Sequence, residues 1–252
     1  MGRPAGISWL VARPIAHRGL HDRAAGRPEN TVAAARAAIA GGYAIECDVQ
    51  ISADGEAMVF HDAALGRLTG VADPVAAMRG ADLARLTVAG TAETIPTLPA
   101  FLSEIAGRTP LVVEIKSSYS GDLTLTRRVA DILCEYAGPV AVKSFDPQVV
   151  AALRGLVPET IPRGIVGETN QDDPAYAGLT DSARRRLSDL LHIAETRPGF
   201  VSWRVDDLPC AATHLARVLG HLPVMAWTVR NPDQRRLAEM HADQMVFEGF
   251  SA

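Results

Sequence analysis

The chain between residues 15 and 62 reads Ile15-Ala16-His17-Arg18-Gly19, then Pro28-Glu29-Asn30-Thr31, then Glu46-Cys47-Asp48-Val49, and closes on Val59-Phe60-His61-Asp62. Ile15 and Ala16 lead into His17, which places that imidazole at the end of a short strand. Asn30 stands just before the Ala-rich pattern of residues 32–39 and is expected to cap a helix there. Gly41-Gly42 then stops the helix. Residues 43–49 follow as a second strand with carboxylates at i and i+2. Side chains alternate across a strand, so Glu46 and Asp48 share one face while Cys47 points to the packed side. Two carboxylates on one face repel unless a cation or a proton lies between them. Ala53-Asp54-Gly55-Glu56 is a hairpin signal. With Asp54-Gly55 as a two-residue turn, 53 pairs with 56 and Asp48 falls opposite His61, so two acids and an imidazole meet in one patch.

The rest of the chain supplies a scaffold for that patch. Candidate strands at 12–17, 43–49, 57–61, 111–116, 139–143, 161–165, 199–203, 223–229 and 244–247 alternate with helical patterns at 31–40, 122–136, 147–155, 181–193, 208–219 and 232–240. Such alternation specifies a parallel α/β fold. The length of 252 residues, 48% hydrophobic, suits one TIM barrel. No repeat or linker marks a boundary, so residues 1–252 are expected to form a single domain. One strand is in excess of eight. The hairpin makes 57–61 an antiparallel arm, although a barrel strand ending at His61 would reach the same rim.

No run approaches the roughly 18–20 apolar residues of a membrane span, and the first ten residues lack the apolar core of a leader. Three cysteines, at 47, 134 and 210, show no paired spacing, which points to a reduced, cytoplasmic protein. A net charge of −4 argues against nucleic acid as a partner. An anionic substrate then needs a local positive spot or a metal.

The ordered set His-Arg-Gly, Pro-Glu-Asn-Thr, Glu-x-Asp-Val, the Asp-Gly turn and the apolar run into His61-Asp62 resembles the glycerophosphodiester phosphodiesterases, TIM-barrel enzymes related to phosphatidylinositol-specific phospholipases C. Ile95-Pro96-Thr97-Leu98, Glu114-Ile115-Lys116, Ser144-Phe145 and Trp227-Thr228-Val229 continue the likeness in order. The resemblance implies a (β/α)8 barrel and a small insertion over its mouth after His61-Asp62, here residues 63–97. It also implies hydrolysis of a glycerophosphodiester to glycerol 3-phosphate and an alcohol, through attack by the glycerol 2-hydroxyl and a cyclic phosphate. Arg230 and the final Met245-Val246-Phe247-Glu248-Gly249-Phe250 depart from the family's usual Asn and Gly-Ile-Ile-Thr-Asp.

Glu114 and Lys116 repeat the i, i+2 spacing on an apolar strand, where unpaired charges are rarely buried. Glu46, Asp48 and Glu114 together form an oxygen-rich set for one hard cation, Mg²⁺ or Ca²⁺, whereas zinc would want more His or Cys. They match the family's metal ligands. The bland alternative is that they only partner Arg18 and Lys116. His17 and His61 match the family's acid–base pair, and imidazole carries protons both ways near neutral pH. Asp62 is expected to orient His61 or cap the next turn. Arg18 and Lys116 would face the phosphate oxygens. Phe145, Trp227 and Trp203 could wall a glycerol backbone. His21, His192, His214, His221 and His241 read as surface residues, and Ser144 should reach the rim.

The expected substrate is a small glycerophosphodiester, with no stable membrane association. Two competing readings are a lysophospholipase D-like or other lipid phosphodiesterase on the same fold, and a non-catalytic glycerophosphoryl binder. Residues 63–97 contain no aromatic residue, which speaks against the lipid reading, and nothing of the matching set is missing, which speaks against the binder.

Overall fold

The computed structural model describes residues 7–171 and 176–252; the first six residues of the stretch scanned for a leader lie outside it. In chain order the elements are β1 (Ile15–Ala16), α1 (Val32–Ala40), β2 (Ala44–Ile51), β3 (Ala57–Val59), α2 (Gly66–Thr69), α3 (Gly80–Leu83), α4 (Leu98–Ile105) and β4 (Leu111–Ile115). There follow α5 (Thr124–Cys134), β5 (Val140–Ser144), α6 (Pro147–Leu156), β6 (Arg163–Gly167), α7 (Asp181–Ser188) and α8 (Ile193–Thr196). β7 (Phe200–Arg204), α9 (Ala211–Val218), β8 (Val224–Val229), α10 (Pro232–His241) and β9 (Gln244–Phe247) complete the order. Neighbours in the sheet run β1-β9-β8-β7-β6-β5-β4-β2, and β1 pairs with β2, so eight parallel strands close into a TIM barrel. β3 is the ninth strand, paired antiparallel to β2 outside the ring.

Period-two alternation sorts every barrel strand into two faces. Cys47, Val113, Val142, Ile165, Val201, Ala226 and Phe247 belong to the large cluster between barrel and helices. Ile15, Ala44, Val112, Ala141, Phe200, Met225 and Val246 form a second cluster with Leu10 and Trp9, which fills the bore. Gly164 lies in this layer because a Cβ there would come within 2.2 Å of the Phe200 ring. Two residues further along the same strands the inward positions change character, to His17, Glu46, Glu114, Lys143 and Trp227. Two residues further still they are Asp48, Lys116, Phe145, Glu168 and Arg204. The apolar floor therefore gives way to charge toward the C-terminal ends of the strands, the rim at which TIM-barrel enzymes carry their chemistry.

Several expectations need correction. The hairpin loop has three residues, not two. Ser52 N–H donates to Glu56 O at 3.0 Å, Gly55 N–H donates to Ser52 O at 3.1 Å, and Gly55 takes φ +81°, the pattern of a turn closed by a glycine bulge. The register thus slips by one, and Asp48 faces Phe60 rather than His61, with Phe60 N–H on Asp48 O at 3.0 Å. The cap of α1 is Thr31, whose side chain accepts from Ala34 N–H. Asn30 is freed for another role. Trp203 faces the helices, fully buried over Gly167, and is no part of a wall in the bore. Ser144 turns its hydroxyl to Ile115 O at 2.7 Å. α4 was not anticipated, although Thr97 caps it and Pro99 lies in its first turn.

Residues 63–97 hold only short turns of helix, but with Met58 and Phe60 they build a small apolar cluster of their own from Leu65, Leu68, Val75, Leu83, Val88 and Ile95. Among the described residues no helix is long and apolar enough to cross a membrane.

Candidate active site at the barrel rim

A cavity of about 1030 Å³ opens at the C-terminal ends of the strands, and His17, Arg18, Asp48, His61, Glu114, Lys116, Phe145 and Trp227 line it. Glu46 lies behind them, fully buried. Gly19 lets the His-Arg-Gly turn seat against α1, since a Cβ there would meet the Ala34 backbone at 2.8 Å.

Carboxylate oxygens of Glu46, Asp48 and Glu114 all lie within 4.8 Å of one another. Three cations answer them in an open chain of alternating charge. Lys143 Nζ stands 3.0 Å from Glu46 and 3.1 Å from Glu114, Lys116 Nζ bonds Glu114 and lies 2.7 Å from Asp48, and Arg18 Nε ends the chain 3.3 Å from Asp48. The Arg18 backbone N–H donates to Glu46 Oε2 at 3.2 Å. Burial alone would push the Glu114 carboxyl up, but Lys116 and Lys143 pull it down to about 2. Against the same burial, Lys116, His61 and Arg18 hold Asp48 well below the usual carboxylate range. Both acids are therefore charged at neutral pH. Glu46 Oε1 is paired by charge alone: it is buried and accepts no hydrogen bond. Three carboxyl groups, one with an oxygen that accepts no hydrogen bond, fit a hard divalent cation by chemistry.

The two imidazoles are each tethered through Nδ1. His17 Nδ1 lies 2.5 Å from Glu248 and its Nε2 lies 4.0 Å from Glu46. His61 Nδ1 lies 2.7 Å from Asp62. A carboxylate can only accept, so each Nδ1 carries the proton and each Nε2 is left for other work. Burial would raise the Glu248 carboxyl, yet hydrogen bonds from His17 and His21 hold it far below its ordinary value. Burial likewise works against Asp62, and bonds from Arg67 and His61 outweigh it.

Several residues around the site escaped the sequence reading. Asn30, at φ +58°, donates from Nδ2 to Asp48 at 3.0 Å and accepts Asp48 N–H at 3.2 Å. Glu29 takes Arg18 at 2.7 Å and both Arg67 terminal nitrogens at 2.8 and 2.9 Å. Arg67 also clasps Asp62 at 2.5 Å. Glu29 and Asn30 lie inside a quoted motif, and Lys143 is a lone charge ending an apolar strand, so all three carried a usable signal. Arg67 carried none. Of the histidines read as surface, His192 is buried against Thr196 and its pKa is lowered to about 4 by burial, and His21 reaches Glu248 at 3.4 Å. Phe145 and Trp227 meet edge to face at 5.5 Å in the cavity, with Tyr176 6.5 Å beyond Phe145.

The family model described as the glycerophosphoryl diester phosphodiesterase family matches residues 17–248. The Bacillus subtilis (strain 168) protein YhdW, which carries the name of a glycerophosphodiester phosphodiesterase, is 30% identical over 240 residues, covering 90% of this chain and 89% of that one. An Oleispira antarctica phosphodiesterase solved with the product sn-glycerol-3-phosphate superposes with a TM-score of 0.75 at 22% identity, over 95% of this chain and 93% of its own. The Thermotoga maritima glycerophosphodiester phosphodiesterase gives 0.70 at 21% identity, over 92% of each chain. At those identities the two structures speak for the fold.

Proposed function

The chain belongs to the glycerophosphoryl diester phosphodiesterase family, and we propose that it works through two histidines beside a cation-holding acid cluster. It is an enzyme of that class, a phosphoric diester hydrolase acting on glycerophosphodiesters. Glu46, Asp48 and Glu114 would hold one divalent ion, Mg²⁺ or Ca²⁺. Such an ion, when bound, supplies positive charge to the phosphoryl oxygens.

The observation that carries the reading is the paired tethering of His17 and His61, each with Nε2 spared, in the same cavity as the converging acids. One Nε2 takes the proton of the glycerol 2-hydroxyl as its oxygen bonds to phosphorus. The other gives a proton to the departing alcohol oxygen as the P–O bond to it breaks. The cyclic phosphate is then opened by water with the two proton roles exchanged, which leaves glycerol 3-phosphate and restores both rings. Arg18 and Lys116 line the cavity and would answer the charge that builds on the phosphate oxygens. Phe145 and Trp227 offer an apolar wall for the glycerol carbons. Residues 63–97 would cover the mouth as an insertion within a single domain spanning 1–252.

The test is to incubate purified protein with glycerophosphocholine, with and without chelator, and to measure glycerol 3-phosphate. Release that stops on chelation and returns with Mg²⁺ or Ca²⁺ supports the reading; release that ignores the chelator removes the ion from it.

A further inference from the structure

The bore contains a lysine for which the proposed chemistry has no use. Lys143 leaves β5 beside Glu114, which is its register partner on β4, and is only 2% exposed. Its Nζ stands 3.0 Å from Glu46 and 3.1 Å from Glu114, two of the three acids of the cluster. An ammonium buried this deeply cannot exchange its carboxylates for water at small cost. Both lysines line the cavity, but the Lys116 side chain is 19% exposed, against 3% for Lys143. An ion entering the cluster can displace Lys116 toward the cavity but must coexist with Lys143.

We propose that Lys143 is a built-in counter-cation that sets how tightly the acid cluster takes up a divalent ion. The inference rests on the reading of Glu46, Asp48 and Glu114 as ion ligands. With Lys116 withdrawn, and the Arg18 and Arg67 guanidiniums matched by the Glu29 and Asp62 carboxylates, three carboxylates and one fixed ammonium leave two negative charges, which a divalent ion matches. Affinity for a hard ion follows the number of uncompensated ligand charges, and a like charge sharing the same carboxylates opposes binding. Lys143 therefore keeps the ion exchangeable, where three uncompensated acids would hold it fast.

Calorimetric titration of metal-stripped protein with Mg²⁺ and with Ca²⁺ tests this on wild type, Lys143→Met and Lys143→Arg. The methionine variant should bind at least about tenfold more tightly, and the arginine variant should stay near wild type. Unchanged or weaker binding by Lys143→Met overturns the proposal. Because that variant leaves two buried acids short of a partner, thermal unfolding provides a second readout. The gain in Tm on adding saturating Mg²⁺ should exceed the wild-type gain. An equal or smaller gain, or a chain that stays unfolded with the ion present, also overturns it. Wild-type protein that binds neither ion sinks the ligand reading itself and the proposal with it, whereas normal wild-type binding beside an unmoved variant sinks the proposal alone.

Discussion

His17 and His61 use the same device, an Nδ1 tied to a carboxylate, yet two unlike parts of the molecule support them. His17 follows β1 and is buried, and its partner Glu248 follows β9, so both ends of that bond are set by the strands that close the barrel. His61 follows the edge strand β3 with its side chain 32% exposed. Its partner Asp62 is gripped by Arg67, which belongs to the inserted 63–97 segment with its separate apolar cluster. Global folding positions one ring, and a small attached module positions the other. Such modules open locally at lower cost than a barrel does.

The sharpest way to break this comparison is to remove the rings. His17→Ala and His61→Ala should each lower kcat by roughly 10²–10⁴-fold in a folded protein, and wild-type turnover by either variant removes that ring from the proton work. Next come the tethers. Glu248→Gln should cost roughly 10–100-fold in kcat, by analogy with groups that orient metal-bound imidazoles. Arg67→Ala should cost less, because it acts through Asp62 and its own side chain is 47% exposed. A larger loss for Arg67→Ala would invert the ranking of the two supports.

Support by a separate module also has a stability signature. Leu65→Ala, in the insertion's cluster, should weaken packing by about 2–5 kcal/mol. Hydrogen exchange should then speed up across 63–97 while β4 to β9 keep their protection; uniform loss throughout the barrel would show that the insertion is no separate unit.

The smallest effect concerns acid. Burial would raise the Glu29 carboxyl, but Arg67 and Arg18 bring it from an ordinary 4.5 to about 2. A depressed carboxyl stabilises the fold fully above the unfolded value and loses that contribution as pH falls through the folded one. Wild-type stability should therefore decline between pH 4.5 and about 2, and denaturant unfolding of Arg67→Ala should show a shallower decline. Equal declines would mean that the clasp contributes nothing.

The parallel alternation and the arm at 57–61 were legible because they depend on period-two patterning and one turn signal, both local. The convergence of Glu46, Asp48 and Glu114 was legible for the same reason: i+2 spacing puts charge on a strand's inward face, and barrel closure does the rest. What escaped depends on longer-range fit. A three-residue loop in place of a two-residue one moved Asp48 opposite Phe60, since Ser52 and Gly55 could serve either turn. Asn30 looked like a cap because Thr31 beside it is an equally good one. Trp203 went to the wrong face because Phe200 and Val201 are both apolar, so β7 shows no alternation that tells its two faces apart. Arg67 reaches Glu29 and Asp62 only once the insertion has folded over the rim.

The most direct measurement is anomalous scattering from a crystal soaked in Mn²⁺ with glycerol 3-phosphate. A single strong peak within ligand distance of Glu46, Asp48 and Glu114, with both Nε2 atoms facing the phosphate, is the expected result. A peak elsewhere, or phosphate bound away from His17 and His61, would contradict the account.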